Sequence, residues 1–158
     1  MLKRFKKHFK NQKGLTLVEL LAVIVILGII AAIAVPSIGN IIENSKKDAH
    51  AANAHMVISA AKIAKVDGLA YDYPTTGTDP KTGYQISTLV SGGYLDDFND
   101  ADNNAASYDG ASFVKYDDTS KTFKVYLKGS KFSVGTAAAP LAAKDIKRTN
   151  VSVTPTTP

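Results

Sequence analysis

Leu15-Thr16-Leu17-Val18-Glu19-Leu20-Leu21 opens a run that stays apolar to Val35, apart from Thr16 and Glu19, and ends before Pro36. Its 21 residues form a helix of about 31 Å at 1.5 Å per residue, close to the hydrocarbon thickness of a bilayer. Ahead of it, Lys3, Arg4, Lys6, Lys7, Lys10 and Lys13 supply six of the 19 basic residues, with no acidic residue among them. Such a segment stays on the cytoplasmic side, and the part that follows the helix crosses outward. The other 13 basic residues face 14 acidic ones, so the formal charge of +5 belongs to the N-terminus. The near-neutral remainder argues against strong intrinsic nucleic-acid binding.

A cleaved secretory signal would have a shorter apolar core and a small-residue cleavage site. A plain single-pass anchor fits the length but leaves Glu19 unexplained. A carboxylate at the bilayer centre costs about 3 kcal/mol, less near the interface, and residues of this kind are usually functional. Glu19 therefore calls for a cationic partner.

Lys13-Gly14-Leu15-Thr16-Leu17-Val18-Glu19 resembles the class III signal of type IV prepilins and of type II secretion and competence pseudopilins. A basic leader ends in Gly, an apolar residue and Thr follow, and an acid stands at the head of a membrane helix. The resemblance implies that a membrane prepilin peptidase cuts between Gly14 and Leu15, where a side chain at position 14 would obstruct it. It implies N-methylation of the new Leu15 amine; Leu15 stands where the family usually has Phe. Thr16 and Glu19 become assembly and register residues, with Glu19 pairing with the Leu15 amine of a neighbouring subunit. Within one chain the same amine lies one helical turn away, so a self-pair is the alternative. The implied partners are further copies of the chain in a helical filament, the peptidase, the inner-membrane assembly platform, and the membrane before assembly. The implied location is the cytoplasmic membrane for the precursor and the cell surface for the assembled pilus.

Gly28 and Pro36 interrupt the helical pattern, since an interior proline removes a hydrogen bond and costs about 3 kcal/mol. A kink at the membrane exit is the simple expectation; resemblance to pilins adds unwinding between the two in the filament. Beyond Pro36, residues Ile38, Ile42, Ser45, Ala49, Ala52, Met56, Ser59, Ile63 and Val66 recur at spacings of four and three. They mark one helix face, expected to carry a sheet. Asp67-Gly68 is a stop signal, so the helix is expected over about 16–66. His50 and His55 are five apart, not the metal-pair spacing of three or four, and read as ordinary polar positions.

The expected fold is α+β and pilin-like: a long N-terminal helix, half membrane segment and half domain spine, packed on a small antiparallel sheet. The expected divisions are a cleaved basic leader at 1–14, a membrane or filament-core half-helix at 15–36 and a head at 37–158. Within the head, helix is expected at 37–67, loops at 68–110 and strands over about 111–153. Leu69 to Gln85 reads as an irregular connection. Ser87 is expected to cap a short helix through Val90 that ends at Gly92-Gly93, and Gly93-Tyr94-Leu95 resembles an element of major pseudopilins. The alternating runs Ser112 to Tyr116 and Thr122 to Leu127, with a turn at Asp117 to Lys121, read as a β-hairpin. Lys131 to Val134 and Asn150 to Val153 are further candidate strands, and Thr154 to Pro158 is expected to be a mobile or edge tail.

Asp96 to Asp109 is rich in acids and amides. Asp97, Asp100 and Asp102 are candidate oxygen ligands for Ca²⁺, as the calcium loop of major pseudopilins implies, although EF-hand spacing is absent. No other cofactor is expected. The chain has no cysteine, and nucleophile-elbow, phosphate-loop and dinucleotide motifs are missing, so an enzyme is the weakest reading. The leading one is a major pilus subunit serving adhesion, motility or DNA uptake. A pseudopilin and a minor pilin-like binding module are the alternatives.

Overall fold

A computed structural model describes residues 2–73, 81–96, 99–103 and 105–154, with side chains from Thr16 onward. Contacts divide the chain into two compact units, 1–42 and 43–158.

Helix α1 spans Leu2–Val66. It starts earlier than the expected residue 16 and runs without interruption through Gly28 and Pro36. From Thr16 it is long and apolar enough to cross a membrane, and none of its most apolar window is buried. Its end follows the expected chemistry. Gly68 takes φ 79°, a left-handed value that a Cβ would strain. The Asp67 and Leu69 amides then donate to the carbonyls of Ile63 and Ala64 at 3.0 and 2.9 Å.

In the second unit the sheet is antiparallel throughout. Its strands are β1 (Gly83–Gln85), β2 (Phe113–Asp117), β3 (Thr122–Lys128), β4 (Phe132–Val134), β5 (Leu141–Ala142) and β6 (Val151–Val153). They lie in the order β1-β2-β3-β4-β6, with β5 also paired to β3. The expected hairpin is β2–β3, in register Asp117↔Thr122 through Phe113↔Tyr126. Two strands were not foreseen. Residues 83–85 were read as irregular, yet β1 pairs with β2. Leu141–Ala142 is only two residues long and pairs with Val125 and Lys124 on β3. Both are too short to show alternation, and their pairing comes from distant partners. Short helix α2 (Ile86–Ser91) ends at Gly92 as expected, but Ser87 does not cap it; Gln85 holds that position without a side-chain bond. The Asp72 carboxylate instead accepts from the Gln85 amide and the Thr88 hydroxyl.

Phe123, Val125 and Leu127 alternate inward from β3 and meet helix residues Ala54, Val57, Ile58, Ala61 and Ala64. This corrects the expected helix face. Ala49, Ala52, Met56, Ser59, Ile63 and Val66 are all exposed, Ile63 at 55% and Val66 at 86%. The sheet lies on the other side of α1. Both sides carry helical periodicity, and the buried one is the richer in alanine. The sheet brings Tyr84, Phe123 and Phe132, so the side that accepts it must offer alanine to allow close approach.

Thr154 is another correction. It is expected to open a mobile or edge tail, but it is buried. Its amide donates to the Lys131 carbonyl at 2.8 Å and its hydroxyl to the Gly129 carbonyl at 3.1 Å. Residues 155–158 lie outside the described residues.

Candidate functional sites: a membrane carboxylate and a buried histidine–aspartate cluster

In the first unit, Leu17 to Val35 expose nearly every large apolar side chain. Gly14 and Leu15 lie within α1. The Glu19 side chain is exposed. Among the described residues its carboxylate makes neither a hydrogen bond nor an ion pair. An acid carried into lipid on such a helix would be desolvated and uncompensated.

Residues 9–35 match the family model of the prokaryotic N-terminal methylation motif. The match falls on the long apolar helix, on whose second half the antiparallel sheet packs. The motif, the apolar helix and the sheet together fit a type IV pilin-like protein. A signal of this class with an N-terminal apolar helix supports a membrane-anchored precursor and a later surface pilus, and it implies processing by a peptidase. No curated protein and no solved structure matches the chain.

In the second unit of this pilin-like chain a polar cluster sits where helix, acidic loop and sheet meet. His50, on α1, is fully buried, a correction to its reading as an ordinary polar position; His55 is exposed. His50 Nε2 lies 3.0 Å from Asp102 Oδ2 and 3.6 Å from Asp100 Oδ1. Its Nδ1 lies 2.8 Å from the Tyr108 hydroxyl, which also accepts from Asn53 Nδ2 at 3.0 Å. A carboxylate can only accept, so Nε2 carries a proton toward Asp102. Phe132 closes one side, edge-on to the imidazole with ring centroids 6.0 Å apart.

The acids are held by the β3–β4 turn. Asp100 Oδ2 accepts from the Ser130 amide and hydroxyl, both at 2.6 Å, and Oδ1 accepts from the Asp102 amide at 3.0 Å. Asp102 Oδ2 accepts from the Lys131 and Phe132 amides at 3.1 and 2.9 Å. Burial works to raise the Asp100 pKa, but the Ser130 and Asp102 donors and His50 outweigh it and hold that carboxyl below its usual range. Burial pushes the Tyr108 phenol up to about 12. Asp102 Oδ1 is buried and has no hydrogen-bond partner among the described residues. Its nearest cation is Lys46 Nζ, at 3.9 Å.

Gly129 makes this approach sterically feasible. A Cβ there would lie 2.7 Å from the Phe132 carbonyl oxygen and 2.8 Å from both Asp100 Oδ1 and His50 Cε1.

Of the candidate calcium ligands, Asp100 and Asp102 come together, whereas Asp97 lies outside the described residues. Their companion is His50, across 50 residues or more of sequence. No spacing rule links it to the acidic loop. The one local signal is a histidine that falls in phase with Ala54, Val57 and Ala61 on the alanine-bearing side of the helix.

Proposed function

We propose that this chain is a major structural subunit of a type IV pilus. Prepilin peptidase cuts between Gly14 and Leu15, and the Leu15 amine is methylated. Glu19 then pairs with that amine on a neighbouring subunit, with Thr16 beside it in the register contact. The observation that carries this reading is Glu19, an acid without a partner among the described residues, set in an otherwise apolar and exposed helix. Burial of that helix against other copies drives assembly, and the ion pair fixes the axial step. Gly28 and Pro36 supply the weak point at which the helix unwinds as subunits pack. The role is structural and not catalytic.

A pseudopilin is the second reading. It rests on α2 ending at Gly92-Gly93 and continuing into Tyr94-Leu95 and the acidic loop.

The test is the N-terminal mass of the protein from its own cells, in membrane and sheared surface fractions. Methylated Leu15 as first residue, abundant in the sheared fraction, is the expected result. Mature protein confined to membranes would favour the pseudopilin, and an uncut leader would sink both readings. Glu19→Gln should be cut normally yet leave the sheared fraction. An unpaired buried charge costs about 3–5 kcal/mol, and about 1.4 kcal/mol is already tenfold in an equilibrium.

A further inference from the structure

We propose that His50, Asp100 and Asp102 form a binding site for a divalent transition-metal ion of the zinc class. The three residues offer ligand atoms that all lie within 4.8 Å of one another. Zinc sits about 2.0–2.2 Å from nitrogen and carboxylate oxygen, so neighbours in a tetrahedral shell are about 3.3 Å apart. The distances from His50 Nε2, 3.0 Å to Asp102 Oδ2 and 3.6 Å to Asp100 Oδ1, bracket that value. An ion takes the place of the Nε2 proton, which passes to solvent.

A second observation points the same way. Among the described residues, the buried Asp102 Oδ1 has no hydrogen-bond partner, a cost that native interiors rarely leave unmet. Lys46 is too far to donate to it, and its side chain is 38% exposed and free to swing aside. The cluster thus holds two carboxylates with less donor capacity than they can accept.

The surroundings suit a metal ligand. His50 Nδ1 is tied to the Tyr108 hydroxyl, and backbone amides of the β3–β4 turn orient both carboxylates. Outer partners of this kind set ring orientation and ligand basicity. The imidazole also selects among ions. Calcium takes six to eight oxygens, whereas a nitrogen beside carboxylates suits zinc or its neighbours. Water completes the shell.

The experiment uses the full chain in detergent, stripped with a chelator and titrated with Zn²⁺ by calorimetry. A single saturable equivalent that raises the thermal midpoint is expected. Co²⁺ should give the visible absorption of a tetrahedral nitrogen–oxygen site. His50→Gln should abolish both, and Tyr108→Phe should weaken zinc binding by about tenfold or more. The His8→Gln, His55→Gln double variant should bind as the parent does, so the assignment stands on a folded protein even if His50→Gln does not fold. Failure of zinc to bind, loss of binding in the His8, His55 double variant, or stabilisation by Ca²⁺ and not by Zn²⁺ would overturn the proposal.

Discussion

Within α1, residues 16–42 contain no buried side chain, while residues 43–66 are dry along one side and bare along the other. In the first stretch apolar residues surround the helix, the pattern of a helix covered by lipid or by other chains. In the second, Ala54, Val57, Ile58, Ala60, Ala61 and Ala64 lie under the sheet, and Ala52, Met56, Ser59, Ile63 and Val66 are exposed. The sheet supplies its own bulk through Tyr84, Phe123 and Phe132. Met56, Ile63 and Val66 are thereby left exposed, at 46%, 55% and 86%.

The comparison breaks most visibly at the core. Phe132 is fully buried and touches both the helix cluster and the imidazole of His50. Phe132→Ala should cost about 3–5 kcal/mol, lowering the thermal midpoint of the full chain in detergent by about 10 °C or more. A loss near zero would mean that the sheet does not depend on this side of the helix. Gly129→Ala sharpens the picture at the polar end of the same side. Its Cβ would collide with the Phe132 carbonyl, Asp100 and His50. Overpacking of this kind costs about 1–3 kcal/mol, read from urea unfolding of the same preparation. A neutral result would show that the turn can move off the cluster.

What could be read from the sequence follows the range of the physics involved. The signal around Gly14, Leu15 and Glu19 is local: a charge pattern, a small residue and an acid in an apolar run lie within a few turns of one another. The β2–β3 hairpin is local too, since Phe113 to Tyr126 alternates on either side of a tight turn. The side of α1 that meets the sheet was misread because spacings of four and three describe the exposed stripe as well as any core. Strand β5 and the His50 cluster were hidden for a related reason. His50 reaches Asp102 across 52 positions and Tyr108 across 58, and no periodicity in either segment records the meeting.

The bare side of the helix supplies the smallest effect on folding and the strictest check on what that side is for. Ile63 is 55% exposed, and isoleucine and serine have similar helix propensities. Ile63→Ser should therefore change head stability by no more than about 0.5 kcal/mol. Assembly should respond differently. If the stripe through Met56, Ile63 and Val66 packs against other subunits, the substitution removes apolar burial from every copy of a repeated contact. The yield of sheared filament should fall while the thermal midpoint and leader cleavage stay as they were. A lower midpoint would mean that Ile63 has a partner inside the head and that the two sides of the helix are not divided as described. An unchanged midpoint with unchanged filament yield would leave the stripe without a role in assembly and place the subunit contacts on residues 16–42 alone.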